Sequence, residues 1–543
     1  MHIYHDSHNT EYRYPFGAAE CGAPIDLKID APWSYAVDLV LRRDGFPEQV
    51  ISGEPDNYGV FSWRINAPSD DCLLWYFFVI HYDGLAVCYG NTPAALGGAG
   101  QIYRHGETPV PYQISVFHPF SVPEWYSRGT AYSIFPDRFC RSGKTPDCGR
   151  HMEEWNTAPY YIRNEDNSIK EWNFWGGDLK GITEKLPYIA SLGASIIYLN
   201  PIFAARSNHR YDTADYFRID PLLGTEEDFQ KLCAKAKELD IRIILDGVFN
   251  HTGVDSKYFR EHPDWYIKDG EGIKCWWGVK DLPEVDENNP EFAEMICGKD
   301  GVLRYWLRAG ASGWRLDVAD ELPDAFIRAI RKAVKEEDPD AVLIGEVWED
   351  ASNKTDYGVR MHFLGGEELD SVMNYTLRDD ILAYTNGQIS AADFAARQIS
   401  RMENYPPSAQ KGCFNCIGSH DRERLLTLLG STQAVKFATT LQFALPGVPV
   451  IYYGDEAALE GGKDPDNRRT FPWDKEPALF DHFNSLCRLR NASESLKNGA
   501  LRAFEDRDGK LIIERGIGAE TVRFEFEQRT LKCEIIKKNS ING

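Results

Sequence analysis

At 543 residues the chain is too long for one ordinary core, and about two to four domains are expected. A net charge of −23 disfavours nucleic acid and anionic membrane as partners, because both select basic patches, and leaves a neutral or cationic ligand. Hydrophobic content of 43% and charged content of 26% are those of a soluble globular protein, and 14 Trp offer flat faces on which sugar rings stack.

Met1–Asp6 shows neither the basic nor the apolar region of a secretory signal, and no apolar run reaches membrane-spanning length. The 12 Cys are scattered, which suits a reducing cytoplasm, the expected location. Cys413 and Cys416 lie in an apolar, strand-like run with no second pair nearby, so they read as core residues and not as a zinc or redox site.

Residues 1–120 read as a β-sandwich. Val37, Leu39 and Leu41 alternate with Asp38, Val40 and Arg42, and Trp75–Ile80 is too apolar for a strand exposed on both faces. After Pro123, apolar runs alternate with amphipathic helices. The runs are Ser195–Asn200, Ile241–Asp246, Ala341–Glu346, Phe414–Asp421 and Val448–Gly454. Thr225 with Asp228 makes a capping-box-like helix start, and Phe229, Leu232, Ala236 and Leu239 follow at helical spacing. Strands this apolar are covered on both faces, as parallel strands are. The repeated units over 121–499 predict an α/β fold, a (β/α)8 TIM barrel preceded by the N-terminal β-sandwich and followed by a small C-terminal β domain over 500–543. A doubly wound sheet is the alternative, but no Gly-rich phosphate loop follows any strand. Residues 252–290, with Trp265, Tyr266, Trp276 and Trp277, break the rhythm and read as an excursion over the barrel mouth.

Where the strands stop carries the chemistry. One ends in Asp246 and leads to Asn250 and His251; others end in Arg315-Leu316-Asp317, in Glu346, and in His420-Asp421. In a parallel barrel these ends share the face that holds active sites. Singly, an exposed loop carboxylate or a structural Arg315–Asp317 bridge is the plainer reading. Four strands delivering acids to one rim are not explained that way. A divalent metal competes for such a rim, but Arg315 opposes a cation there and no His-Glu-x-x-His is present. Clustered carboxylates without a metal suit glycoside hydrolysis, in which one acid protonates the leaving oxygen and a second carboxylate meets the oxocarbenium-like centre. Asp317, beside Arg315, is then the ionised partner, and Glu346, with no cation adjacent in sequence, the proton donor.

At these residues the chain resembles the α-amylase family of glycoside hydrolases. The matching stretches are Asp246–His251, Gly313–Glu321, Ile344–Trp348 and Gly418–Asp421, flanked by Leu199–Phe203 and Gly447–Glu456. Within the family it looks like the neopullulanase, cyclomaltodextrinase and maltogenic amylase group, on the N-terminal β-domain, Val318–Glu321 and Gly461–Arg469. The resemblance implies retaining hydrolysis of α-1,4-glucosidic bonds in malto-oligosaccharides, cyclodextrins, pullulan or starch. It implies Asp317 as nucleophile, Glu346 as acid/base and Asp421 as a third acid that holds and distorts the sugar. Tyr211, His251, Arg315 and His420 would line the central subsite, with Asp246 and Asn250 in support. Asp464 and Arg468 would hold the donor-side sugar, Glu321 would lie on the acceptor side, and Trp348 falls within a matched stretch. A glucan transferase and a non-catalytic glucan-binding protein are the alternatives, and the group's habit of pairing through the N-terminal domain implies a homodimer.

Three departures stand out. Asp320 replaces the usual Asn, Glu349 the usual His, and Glu284 the usual Lys, so excess negative charge is expected on the acceptor side. The group's calcium-binding stretch reads Cys140-Arg141-Ser142-Gly143-Lys144 here, with Asp178 retained. Arg and Lys side chains are not calcium ligands, so the calcium site is expected to be lost and no cofactor is expected.

Overall fold

The computed structural model describes residues 3–143, 149–165, 168–270, 272–356 and 358–539. Strands up to Phe117 form two sheets. One has four strands, with Pro24–Asp30 and Val60–Asn66 at its centre; the other has seven, built around Cys72–Tyr82. Alternation sets the core between them, where Ile25, Leu27 and Ile29 pack with Leu39, Tyr76 and Phe78. Val40 departs from the expected alternation and is buried, because its cross-strand neighbours Phe77 and Val50 make the outer face apolar too.

Eight parallel strands follow: β1 (Ala131–Ile134), β2 (Ile196–Leu199), β3 (Arg242–Gly247), β4 (Gly313–Leu316), β5 (Val342–Gly345), β6 (Ser371–Val372), β7 (Phe414–Cys416) and β8 (Val448–Tyr452). Pairing runs β6-β5-β4-β3-β2-β1-β8-β7. The ring closes where Met373 bridges Phe414 and the Asn374 N–H donates to Phe414 O at 2.9 Å. Inward-facing Tyr198, Ile244, Ile344, Phe414 and Val450 fill the centre, so the barrel is a packed core. β1 and β6 were not among the apolar runs; β6 has only two residues, too few for a periodic signal.

Helices cover the outside. Thr225 caps Glu226–Glu238 with both bonds of the capping box in place. Between β3 and β4, Trp265 and Tyr266 do not overhang the mouth as expected; both are buried, against Tyr258 and Phe259. Trp276 and Trp277 do face it. Cys413 and Cys416 are buried and free. The chain ends in a four-stranded antiparallel sheet, Ala500–Glu505, Leu511–Ile517, Glu520–Glu527 and Lys532–Asn539. Its Leu511, Ile513, Phe524 and Phe526 join the core around the barrel. Among the described residues no helix is long and apolar enough to cross a membrane.

Candidate active site

Arg315 points inward from β4, and the C-terminal ends of β3, β4 and β5 converge on it. Its Nη1 donates to Asp246 Oδ1 at 2.7 Å and to Asp317 Oδ1 at 2.8 Å. Its Nη2 lies 2.9 Å from Glu346 Oε2, an ion pair without hydrogen-bond geometry. Past β4 the backbone turns sharply: Val318 has φ 50°, a left-handed conformation strained for a β-branched residue. That turn aims the Val318 N–H at Glu346 Oε2, 2.9 Å away.

This arrangement corrects the sequence reading of the two acids. Folding gives Glu346 the same cation as Asp317, so sequence adjacency does not separate them. Burial pushes Glu346 up to about 7; Arg315 opposes the rise and the charge of Asp421 adds to it. Burial also raises Asp317, against Arg315, so its ionisation is not simply inherited from its neighbour. Burial raises Asp246 and Asp421 as well, and the neighbouring carboxyls Glu346, Asp246 and Asp421 hold Asp317 up further. Within the group, Asp317 alone of the pair accepts a guanidinium hydrogen bond, which favours the anion there.

A second network holds Asp421. His420 Nδ1 accepts from Asn200 Nδ2 at 2.9 Å, while its Nε2–H faces Tyr211 Oη at 2.5 Å and Asp421 Oδ1 at 3.2 Å. Tyr211 Oη in turn donates to Asp246 Oδ2 at 2.9 Å, which fixes this tautomer. Burial, then Arg468 and Arg315, hold His420 well below its ordinary value, so it is neutral. Tyr375 Oη donates to Asp421 Oδ2 at 3.4 Å, and the Tyr375 ring stacks on Trp348 at 3.8 Å. Arg468 Nη2 stands 4.0 Å from Asp421 and its Nη1 pairs with Asp464 at 2.8 Å. Asn467 Nδ2 donates to His420 O at 2.6 Å.

The remaining predicted residues reach the same mouth. His251 is neutral, its value lowered to about 3 by burial, and it stacks on Trp276 at 5.1 Å. Asn250 Oδ1 lies 3.2 Å from His251 Nδ1. Glu321 accepts from Trp277 Nε1 at 2.8 Å, and Trp277 is 81% exposed. The expected excess of acceptor-side charge is partly offset, by two lysines against three acids. Lys354 Nζ bridges Asp320 at 2.8 Å and Glu349, and Lys274 pairs with Glu284. Neither lysine was linked to these acids in sequence.

Sequence reasoning passed over Tyr198, Asn200 and Tyr375. Tyr198 Oη donates to Asp246 Oδ2 at 2.6 Å. Tyr198 on β2 and Asn200, which directly follows that strand, share one face by alternation, a legible signal; Tyr375 opens a helix and carries none.

Residues 133–272 and 274–497 match the family described as alpha amylase, catalytic domain. An amylopullulanase from Thermoanaerobacterium saccharolyticum is 35% identical over 94% of this chain, which spans 46% of that protein. Other amylopullulanases are likewise covered over less than half their length. Neopullulanase 2 from Thermoactinomyces vulgaris is 35% identical over 92% of this chain and 86% of its own. The ligand-free cyclic alpha-maltosyl-(1→6)-maltose hydrolase from Arthrobacter globiformis superposes with TM-score 0.70 at 31% identity, over 77% of this chain and all of that one. With the strand-end carboxylates, the shared guanidinium and the match across the barrel in hand, the chain belongs to the α-amylase family.

Proposed function

We propose that the protein hydrolyses α-1,4-glucosidic bonds in malto-oligosaccharides, cyclodextrins, pullulan or starch, with retention of configuration. The observation that carries this reading is a single buried guanidinium, Arg315, shared by Asp246, Asp317 and Glu346. Burial raises both Asp317 and Glu346, and Glu346, which unlike Asp317 accepts no guanidinium hydrogen bond, is the better placed to carry the proton. Glu346 gives that proton to the glycosidic oxygen as Asp317 attacks the anomeric carbon; the bond to the leaving sugar breaks and a glycosyl–Asp317 ester forms. Glu346, now a carboxylate, takes a proton from water, the resulting oxygen displaces Asp317, and both side chains return to their starting states. Asp421, fixed by His420 and Tyr375, is placed to grip sugar hydroxyls. Trp277, exposed beside Glu321, offers a flat face to an acceptor sugar, which supports some transfer alongside hydrolysis.

Similar proteins carry names that span several α-glucans, so substrate rank is decided by a product profile. Incubation with cyclodextrin, pullulan and starch in turn should release reducing sugar from at least one. No release from any would overturn the reading in favour of a glucan-binding protein.

The group's calcium site does not fit these residues. Arg141 Nε and Nη2 donate to Trp175 O, and Nη2 also to Glu153 O at 3.1 Å, so a guanidinium stands beside the Cys140–Gly143 stretch and opposes a second cation there. Asp178 is engaged by Ser142 Oγ at 2.7 Å and by the Gly181 N–H at 2.6 Å, as a helix cap. Lys144 lies outside the described residues. A chelator should leave the melting temperature unchanged; a fall would refute this. A cytoplasmic homodimer completes the proposal. Trp33, Tyr35, Phe46 and Tyr58 are exposed on the N-terminal sheets, and the described cysteines are free. Sedimentation showing only monomer at high concentration counts against the dimer, and recovery of the protein outside the cell counts against the location.

A further inference from the structure

Away from the mouth, a cavity of about 500 Å³ opens beside the hairpin that follows β2. Small-molecule sites occupy about 300–1,000 Å³. Its wall includes Arg150, Lys170, Trp172, Phe174, Arg206 and Arg218. Four cations in so acidic a chain suggest an anionic ligand at first. Pairing argues otherwise. Arg150 is bound to Asp220 at 3.1 Å and Arg206 to Asp281 at 2.5 Å. Glu171 and Asp255 on the same wall balance Lys170 and Arg218. A charge-balanced wall around the part-exposed ring of Trp172 suits a neutral polyhydroxyl chain, whose apolar ring face meets the indole while its hydroxyls meet the charged groups; Phe174 is buried beneath Arg150.

Trp172 joins this cavity to the mouth. Its ring meets His209 edge-on at 4.8 Å and Tyr161 edge-on at 5.7 Å. Tyr161 Oη donates to the Asp464 carboxylate, Asp464 pairs with Arg468, and Arg468 reaches Asp421. One aromatic ring therefore separates the cavity from the row Tyr161, Asp464, Arg468 and Asp421. Resting on the hydrolase reading, we propose that the cavity is a second glucan-binding site. It takes the far end of a malto-oligosaccharide that runs past Trp172 from the Asp464 side, so long chains are favoured over short ones.

The test is the ratio of kcat/KM on maltoheptaose to kcat/KM on maltotriose. Ala204 lines the cavity, and Ala204→Trp fills it. The ratio should fall about five- to tenfold through lost ring contacts. Arg218→Ala, at an exposed position that keeps the test standing if the larger side chain prevents folding, should lower it about two- to threefold. A ratio unchanged in every variant that folds overturns the cavity proposal, and turnover of maltotriose by the wild-type chain then leaves the hydrolase reading intact. Wild-type chain that cleaves neither sugar overturns the cavity proposal, and the hydrolase reading then stands or falls on cyclodextrin, pullulan and starch.

Discussion

Glu346 at the barrel mouth and Glu403 at the seam between the N-terminal sheets and the barrel are buried alike, yet they behave in opposite ways. Burial pushes Glu403 up, but Arg13 at 2.6 Å and His8 at 3.1 Å outweigh it and hold the carboxyl below its ordinary range. At the mouth, one guanidinium serves Asp246, Asp317 and Glu346, so burial wins and Glu346 rises to about 7. The desolvation is shared; the number of cations per carboxylate differs. That ratio separates an ion pair that holds two layers together from a group able to deliver a proton at neutral pH.

The comparison can be broken in several ways. Asp317→Asn should lower kcat by about four orders of magnitude, as loss of an essential nucleophile does. Its melting temperature should hold or rise, because the change removes charge from an over-acidic cluster. Retained turnover would end the assignment. Glu403→Gln should do the reverse, destabilising by about 3 kcal/mol by leaving the buried Arg13 underpaired. Turnover per folded molecule should not change, and a loss of kcat without a loss of stability would erase the distinction between the two sites.

Titration sharpens it. Glu346 acts as the protonated acid, so kcat/KM should fall as pH rises through about 7. In Glu346→Gln that alkaline limb should vanish, with the smallest loss on substrates whose leaving groups need no proton; an unchanged limb would move the acid elsewhere. Glu403 has the opposite sign. Its folded value is depressed, so its contribution to stability is present above the ordinary carboxylate value and is lost as pH falls through the folded one. The smallest effect is at Val318. Val318→Gly keeps the N–H that Glu346 accepts and relieves the left-handed strain but deletes a buried side chain, so the two effects oppose and calorimetry should show a net change within about 1 kcal/mol. A loss of about 3 kcal/mol, the full cost of the deleted side chain, would show that the turn stores no such strain.

Much of the fold was legible because burial leaves a mark on local sequence. Parallel strands covered on both faces must be apolar, so β2, β3, β5, β7 and β8 appeared as runs, and the acids that end them marked the rim. The capping of Glu226–Glu238 was legible for the same local reason, since Thr225 and Asp228 lie within one turn. β6, with two residues, leaves too little pattern to register, and Ser133 interrupts the apolar run of β1.

The amino-acid order by itself therefore determined the barrel, the flanking sheets and which acids stand at strand ends, because these follow from hydrophobic period and neighbouring charge. Only the tertiary structure decided that Arg315 serves three carboxylates, that Lys354 answers Asp320 and Glu349, that Tyr375 holds Asp421, and that Trp172 divides the mouth from a second cavity. Most of these contacts join residues on different strands and loops. Their distances are set by how the barrel closes, and no local pattern encodes that closure.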